Sequence, residues 1–301
     1  MPNVNSKAPK VSVCMISYNH SKYIRQAIES ILSQSTEFSI ELVIGDDYSS
    51  DETANICQTF VDLDPRVRLL PSKLNLGVMP NFIRTLQACR GELIAICEGD
   101  DYWTDRYKLD KQVRLLNLHS EYAASTHQSQ ILINEIPDRK FRIDVAEILS
   151  TEDITAGRLF HTASVLFRRP VIDLFCNSPA VLSCDRLLNF CMSFLGKIHY
   201  SEEIMCVYRI HGSGMSSNAT IKQMRMDLAC IDYLKLINPN FPKYRYLSYV
   251  HATIGLTRSA RWYQRAFHLF FSFLFSFSFF PKNILFYISI IRRSIKISIR
   301  H

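Results

Sequence analysis

The residues best able to do chemistry stand in a short acidic segment in the first half of the chain. Glu98, Asp100 and Asp101 place three carboxylates within four residues, directly after the apolar run 93–97. Neighbouring carboxylates repel each other, so Asp100 and Asp101 require a cation, a hydrogen-bond donor or water beside them. Hard divalent ions take oxygen ligands and are often shared with phosphate groups. The segment is therefore a candidate site for a divalent cation that carries a phosphorylated ligand.

Similar polar residues follow two earlier apolar runs. Tyr18 and Asn19 come directly after the run 11–17, and Asp47 follows the run 40–45. Short apolar runs of this kind, rich in Val and Ile, predict buried strands. Because open α/β sheets bind ligands at the carboxyl ends of their strands, these residues are candidates for the same site.

The first hundred residues alternate between predicted strands and predicted helices. The strands are 11–17, 40–45, 66–70 and 93–97, and the helices are 22–32, 52–60 and 81–89. Ser21 is predicted to cap the first helix, and Asp51 the second. This alternation argues for a mainly parallel sheet with helices on both faces, which brings the polar strand ends to one edge.

The second half of the chain is also mixed. It predicts helices at 105–119, 148–158, 170–177 and 184–195, and strands at 121–133, 164–167, 197–201 and 204–208. Glu202 and Glu203 fall between the last two strands and are interpreted as hairpin residues. From about residue 220 onward the pattern is helical.

Cysteine usage and the first residues bear on the compartment. Nine cysteines are present, none in a C-x-x-C pair, and most lie within apolar runs. This is typical of reduced, buried thiols in a cytosolic protein and argues against a disulfide or zinc framework. Residues 1–10 are polar and have no apolar core, so we expect no signal peptide.

The net charge of +7 is unevenly distributed. From residue 233 onward there are eleven Lys or Arg and no Asp or Glu, whereas the first 232 residues have a net charge of −4. Such asymmetry indicates an anionic partner, either lipid headgroups or nucleic acid. Eight phenylalanines in the segment 266–280 favour a membrane surface over nucleic acid.

The aromatic segment 266–280 is predicted to be helical. At 1.5 Å per residue it reaches roughly 22 Å, which is short for a membrane span. Pro281 interrupts it, and a second helix with Arg292, Arg293, Lys296 and Arg300 opposite isoleucines is predicted to follow. Two helices docked on the inner face of a membrane are one interpretation. The alternative is a helical pair that packs on the preceding domain or on a second subunit.

Taken in order, these motifs resemble the family 2 glycosyltransferases, which have the GT-A fold. The matching segments are 11–19, 41–53, 75–77, 91–92 and 98–103, with 108–112, 184–185, 207–209 and His211 fitting one bacterial branch. The resemblance covers about residues 11–215. Tyr48 stands where the family usually has Gly, and Arg84 is displaced by about two places from a common Arg.

The resemblance implies an α/β fold with a Rossmann-like half at 11–115, an acceptor half at 116–215 and a C-terminal helical region at 216–301. The implied activity is inverting transfer from a nucleotide sugar, expected to be a UDP-sugar, with Mn²⁺ or Mg²⁺. The implied acceptor is a glycan or lipid-linked glycan of a bacterial surface polysaccharide, on the inner face of the plasma membrane. Residues 161–164 are expected to border the acceptor.

The resemblance also implies donor-binding roles. Tyr18 and Asn19 are expected to line the base pocket, and Asp47 to accept a hydrogen bond from the base. Asp100 is expected to face the ribose or share the metal through water, and Arg209 to pair with phosphate. Helix capping remains the alternative for Asp47, and pairing with an acidic neighbour the alternative for Arg209.

Metal and catalytic roles follow in the same way. Asp101 is expected to bind the metal with His211, and Asp185 to act as the base that takes the proton of the acceptor hydroxyl. The alternatives are a solvated acidic turn for Asp101, a helix cap for Asp185 and a backbone-bonded loop imidazole for His211. Glu202 and Glu203 are weaker candidates for the base, and Glu98 receives no role.

Two other functions remain open. A nucleotidyltransferase would share the alternation, but it would need a Gly-rich, Lys-bearing phosphate loop, which 17–21 does not supply. A membrane-tethered scaffold could bind a nucleotide sugar without transferring it.

Overall fold

The computed structural model describes residues 8–155, 157–211, 220–257 and 260–276. Its first part alternates between strand and helix, as the sequence predicts. The elements are β1 Val11–Ser17, α1 Ile24–Leu32, β2 Ile40–Asp46, α2 Thr53–Leu63, β3 Val67–Leu69, α3 Val78–Ala88 and β4 Leu93–Ile96.

These four strands form a parallel sheet in the order β3-β2-β1-β4. β1 pairs in parallel with both β2 and β4, so that Ser17 lies opposite Asp46 and Cys14 opposite Ile96. Because the three strands run in one direction, their carboxyl ends meet at one edge, which confirms the predicted arrangement.

The sheet continues through strands of the second half. The further elements are β5 Tyr102–Trp103, α4 Lys108–Leu118, β6 Tyr122–Ile133, β7 Ile136–Lys140, β8 Ile148–Leu149, α5 Thr151–Thr155, a 3₁₀ turn Thr162–Ser164, β9 Leu166–Arg168, α6 Val171–Cys176, α7 Cys184–Leu195 and β10 Lys197–Ile210. β9 is antiparallel to both β4 and β6, while β6 and β10 are parallel to each other. The sheet is therefore mixed: β3-β2-β1-β4 form one parallel part, and β6 and β10 form a second parallel pair.

Three local predictions were wrong. The segment 197–210 is one strand, and Glu202 and Glu203 lie where its register against β6 shifts rather than in a hairpin. A strand and the short helix α5 (Thr151–Thr155) replace the single helix predicted at 148–158. Ser21 does not cap α1, because α1 begins at Ile24 and the Ser21 N–H donates to Asp51 instead.

The core lies between the parallel strands and the helices beside them. The face of α1 that carries Ile24, Ala27, Ile28 and Ile31 is fully buried. Together with buried side chains of β1, β2 and β4 it forms one continuous apolar cluster. Burial of apolar surface stabilises the folded chain by about 25 cal/mol per Å². The cluster therefore provides a stable base for the loops at the edge of the sheet.

The chain divides into two compact units. The first comprises Met1–Ser150, Arg158–Asn177 and Asp185–Gly214, and the second comprises Thr151–Gly157, Ser178–Cys184 and Met215–His301. The second unit contains α5, α8 (Ile221–Met226), α9 (Ile231–Ile237), α10 (Lys243–Leu256) and α11 (Trp262–Ser276).

The helical pattern predicted from residue 220 is confirmed for the residues that the structure describes. The predicted second helix after Pro281 lies outside them. No helix among the described residues combines the length and the apolar character needed to cross a bilayer.

Candidate active site

The loops after β1 and β2 are tied together at the carboxyl edge of the sheet. The backbone N–H of Asn19 donates to Ser49 Oγ at 2.9 Å, and the side-chain oxygen of Asn19 accepts from the Ser50 N–H at 2.8 Å. Asn19 has a φ of 57°, a left-handed conformation that Asn tolerates well. Beside it, Tyr18 leaves about half of its surface exposed.

Asp47 is buried at the same edge and orders a third loop. Its two carboxylate oxygens accept the backbone N–H groups of Leu76 and Gly77, at 2.8 and 2.9 Å. Each carboxylate oxygen has two lone pairs, so both retain capacity for a ligand donor. The N-terminus of α2 is served by Asp51, which accepts the Thr53 N–H at 3.0 Å.

The acidic segment after β4 turns tightly against the loop that follows β1. The Gly99 N–H donates to the carbonyl of Ile16 at 3.0 Å. A Cβ atom at Gly99 would lie 2.6 Å from Ile24 Cδ1 and 2.9 Å from His20 Nδ1, so a larger residue would force these side chains to shift. This close approach sets Glu98, Asp100 and Asp101 at the edge where the sequence predicts them.

Asp101 is the most deeply buried carboxylate of the segment. One of its oxygens accepts the backbone N–H of Arg209 at 2.8 Å, and the other lies 3.5 Å from His161 Nε2. Burial and the negative charges of Asp100 and Glu98 raise the pKa of Asp101 well above its ordinary value. The positively charged and hydrogen-bonding groups around Asp101 therefore do not fully offset the negative charge of the acidic segment.

Glu98 shares this surplus of negative charge. Its Oε2 atom is shielded from solvent and has no hydrogen-bond partner. Burial, followed by the charge of Asp100, raises the pKa of Glu98 to about 8. One ligand atom each from Glu98, Asp101 and His161 lie within 4.8 Å of one another. An unpartnered carboxylate oxygen beside a second carboxylate fits a hard divalent cation.

His161 enters this cluster from the loop before the 3₁₀ turn. Its Nδ1 atom accepts the backbone N–H of Ala163 at 3.3 Å, and its ring stacks on Tyr208 with centroids 4.1 Å apart. Burial and the positive charge of Arg158 lower the pKa of His161 to about 3, so the ring is neutral. Since Nδ1 accepts, the ring proton is on Nε2 and points toward Asp101.

A polar network behind the site holds the turn that carries His161. Trp103 Nε1 donates to the Ala163 carbonyl, and Gln112 Nε2 donates to the Ser164 carbonyl, each at 2.9 Å. The buried Lys108 ammonium donates to Gln112 Oε1 at 2.7 Å and lies 4.2 Å from the Trp103 ring centroid. The segment 108–112 therefore supports the site through the backbone of this turn.

Asp100 points the other way, toward the histidine predicted as a metal ligand. His211 Nε2 lies 3.1 Å from Asp100 Oδ2, and this hydrogen bond raises the pKa of His211. Burial alone would raise the pKa of Asp100, but the His211 hydrogen bond and the charge of His20 outweigh it and lower that pKa. His211 thus contacts Asp100 rather than the cluster around Asp101.

Arg209 is buried and its guanidinium contacts groups of the protein. Its Nη1 donates to the Asp100 carbonyl at 2.8 Å, its Nε pairs with Glu135 at 2.9 Å, and its Nη2 donates to Gln26. The pairing with an acidic neighbour, one of the two alternatives for Arg209, is the one present here. Arg209 braces the acidic turn from both its backbone and its side chain.

Asp185 lies in the first turn of α7, as predicted, and is ion-paired. Its Oδ2 is 2.9 Å from Arg158 Nε, and its Oδ1 accepts the N–H of Arg186 at 2.8 Å. Burial would raise the pKa of Asp185, but the charges of Arg158 and Arg186 lower it overall. Its charge contributes to raising the pKa of Glu98, so the two carboxylates lie in one electrostatic neighbourhood.

Comparison with known families shows to which family the chain belongs. The sequence model of glycosyl transferase family 2 matches residues 12–175, more than half of the chain. The chain belongs to this family.

Curated relatives of this family 2 glycosyltransferase include bacterial proteins. An uncharacterized protein of Mycobacterium bovis is 37% identical over 218 residues, covering 69% of this chain and 61% of its own. TuaG of Bacillus subtilis, a candidate glycosyltransferase of teichuronic acid biosynthesis, is 28% identical over 213 residues, 70% of this chain and 82% of its own. The chain thus spans less than two thirds of the mycobacterial relative.

Solved structures share the GT-A fold. Staphylococcus aureus TarS in complex with UDP-GlcNAc superimposes with a TM-score of 0.59, at 17% identity, over 90% of this chain and 73% of TarS. The mannosyltransferase PcManGT of Pyrobaculum calidifontis, in complex with GDP-Man and Mn²⁺, gives a TM-score of 0.54 at 15% identity. This superposition covers 98% of this chain and 87% of PcManGT.

Sequence reasoning missed three residues of the candidate site. Glu98 received no role, His161 was placed only at the acceptor border, and Arg158 was assigned to a helix. Glu98 could have been found, because it precedes Asp100 and Asp101 in the same turn. For His161 and Arg158 no local signal exists, since neither has a motif partner nearby in the chain.

Tyr48 stands after the second strand, where the family usually has glycine, and its backbone conformation predicts that glycine is more stable there. Tyr48 has a φ of 60°, which costs a side-chain-bearing residue about 1–2 kcal/mol. Its ring is 57% exposed and offers little packing in return. We expect Tyr48→Gly to be more stable than Tyr48→Ala by about 1 kcal/mol in urea unfolding. Both variants lose the ring, so equal stability of the two would refute backbone strain at this position.

Proposed function

We propose that this protein is a metal-dependent, inverting glycosyltransferase that uses a nucleotide-sugar donor, most simply a UDP-sugar. The observation that carries the proposal is the cluster of Glu98 and Asp101, from the first half of the chain, with His161 from the second. Asp185 is near enough for its charge to raise the pKa of Glu98. The family assignment and the fold it shares with nucleotide-sugar complexes support the donor class.

Glu98 and Asp101 are the residues that would hold the divalent cation. Arg209 keeps Asp101 in place by donating its backbone N–H, and the Nε2 atom of His161 faces the other carboxylate oxygen at 3.5 Å. A bound Mn²⁺ or Mg²⁺ would neutralise the charge that develops on a diphosphate leaving group. Asp100 and His211, which contact each other, are left to face the donor.

Asp185 is the base in this proposal. The acceptor hydroxyl oxygen forms a bond to the anomeric carbon while the bond from that carbon to the diphosphate oxygen breaks. The hydroxyl proton moves to a carboxylate oxygen of Asp185, and the diphosphate leaves with the bonding electron pair. Attack from the face opposite the leaving group inverts the anomeric configuration, which is why a single carboxylate suffices.

At the other end of the donor pocket, Asp47, Asn19 and Tyr18 would contact the nucleobase. Asp47 retains acceptor capacity beside the 76–77 loop, and Tyr18 has an exposed ring that could stack on the base. The acceptor we propose is a glycan or lipid-linked glycan of a surface polysaccharide. The similarity to TuaG supports that class. Part of the same proposal is a peripheral position on the inner face of the plasma membrane.

A nucleotide-binding screen tests the proposal. Thermal unfolding of the purified protein would be followed with UDP, GDP, ADP or CMP, each with and without Mn²⁺. A ligand at a hundredfold excess over its Kd stabilises the folded state by about 2.7 kcal/mol, so a clear rise in Tm is expected for UDP with Mn²⁺. Chelation with EDTA should remove it. If no nucleotide raises the Tm in the presence of Mn²⁺, the proposed function is wrong.

A further inference from the structure

Helix α11 buries histidine and serine side chains and exposes most of its aromatic side chains. His268, Ser272 and Ser276 are buried to 2% exposure or less, on one side of the helix. The outward side, here named the aromatic face, consists of Trp262, Tyr263, Phe267, Phe270, Phe273 and Leu274, which are 47–81% exposed. A surface helix of a globular protein normally shows the opposite distribution.

Polar contacts with α10 explain the buried side. Ser272 Oγ donates to the Ser248 carbonyl at 2.8 Å, and Ser248 Oγ donates to the Ser272 carbonyl at 2.9 Å. The Nδ1 atoms of His268 and His251 are 3.1 Å apart. These contacts satisfy the polar groups on the buried side of α11, and the aromatic face points away from α10.

The aromatic face exposes six large apolar side chains on one side of a single helix. Trp262 is 81% exposed and Phe270 is 60% exposed, although burying one such side chain contributes about 1.5–3 kcal/mol. Contiguous apolar patches of this kind mark interaction surfaces. Trp and Tyr stand together at the start of the helix, next to the exposed Arg261, and Phe and Leu follow along it.

Charge identifies the partner. From residue 233 onward the chain carries eleven Lys or Arg and no acidic residue. A second copy of this region would bring like charges together, and residues 277–301 are also basic without acids. An anionic bilayer accepts both features, because its headgroups attract cations and its interface accommodates aromatic rings.

We propose that the aromatic face of α11 is a docking surface for a bilayer that contains anionic lipid. The helix lies along the interface, with Phe267 and Phe270 inserted among the acyl chains and the nearby basic residues at the headgroups. This deepens the proposed peripheral location. Its test does not use transfer activity, so the proposed sugar transfer and the proposed docking surface can each fail without the other.

Trp262 offers a direct probe. The chain has two tryptophans; Trp103 is buried at 4% exposure, whereas Trp262 is exposed. Vesicles of phosphatidylcholine with phosphatidylglycerol should shift the tryptophan emission to shorter wavelength, and brominated lipid should quench it. Phosphatidylcholine vesicles alone should have a much smaller effect, and added salt should weaken the response.

Cosedimentation of the full-length protein with the same vesicles measures binding. We expect Phe267→Ser with Phe270→Ser to weaken the partition coefficient at least tenfold. The matched control is Leu63→Ser with Leu118→Ser, which removes two leucines of 76% and 80% exposure from α2 and α4 and should bind as the unchanged protein does. Tm values close to that of the unchanged protein would show that both variants fold.

Three results would overturn the proposal. The protein could stay in the supernatant with anionic vesicles, or the phenylalanine variant could bind as well as the control. Alternatively, light scattering without lipid could show a dimer that the phenylalanine variant converts to a monomer, which would make a second copy the occupant of the face.

Discussion

Asp101→Asn is expected to lower kcat/KM for sugar transfer by about a thousandfold or more and to abolish stabilisation by Mn²⁺ with UDP. The substitution keeps the size of the side chain and an oxygen that can accept the Arg209 N–H. It removes one of the two carboxylates that we propose as ligands. Initial rates and Mn²⁺ titration calorimetry on the variant would measure both losses.

The same variant should unfold at a higher temperature in the absence of metal. Burial and the charges of Asp100 and Glu98 raise the pKa of Asp101, so its charge is less favourable in the folded than in the unfolded chain. A neutral amide removes that cost. Higher stability with lost activity separates a functional carboxylate from a solvated acidic turn.

Asp62→Asn is the matched control, because Asp62 is an exposed residue of α2 whose side chain accepts from Gln58. It should change neither rate nor metal binding. If Asp101→Asn retains metal-dependent UDP binding, the assignment of the metal site is wrong.

Asp185→Asn is expected to lower kcat about 10²–10⁴-fold, the usual contribution of a general base, while the KM for the donor changes little. The amide keeps the hydrogen bond to the Arg186 N–H but cannot take a proton. Steady-state kinetics with separate variation of donor and acceptor would show a loss in kcat rather than in donor KM.

The control distinguishes catalysis from helix capping. Asp173 occupies the first turn of α6, as Asp185 occupies the first turn of α7, and it is exposed. Asp173→Asn should leave kcat unchanged. Should both variants transfer sugar at the original rate, Asp185 is a structural residue and the base lies elsewhere.

Arg158, the ion-pair partner of Asp185, leads to a prediction about how activity depends on pH. A base works only when ionised, so activity falls as the pH drops through its pKa. Arg158 helps to hold the pKa of Asp185 below its ordinary value, which keeps the base ionised at low pH. Arg158→Met should therefore move the acid limb of the kcat/KM profile to higher pH. An unmoved limb would show that Asp185 does not control it.

Elements that depend on local sequence patterns were predicted correctly, whereas features that depend on contacts between distant parts of the chain were not. Alternating apolar and helical segments are local patterns, and they correctly placed β1, β2, β4 and α7. The hairpin at Glu202 and Glu203 was wrong because β10 continues through both residues along β6, a pairing with a distant strand. Two acidic residues between apolar runs resemble a turn until the partner strand is known.

The residues of the candidate site also divide into those that local sequence patterns revealed and those that only long-range contacts revealed. The carboxylates after β4 and the base candidate in α7 were visible in the sequence, as were Asn19 and Asp47. The placement of His211 beside Asp100, and of Arg209 against Glu135 and Gln26, depends on how β10 ends. No spacing in the sequence distinguishes these contacts from contacts with metal or phosphate.

The sequence by itself determined the family, the parallel strands and the edge at which the acidic segment lies, because these depend on patterns within a few dozen residues. Only the tertiary structure decided that Glu98 and His161 join Asp101, that Arg158 pairs with Asp185, and that α11 turns its aromatic side outward. Asp101 contacts a backbone N–H that lies 108 residues away in the chain. Packing of the sheet creates such contacts, and no local preference encodes them.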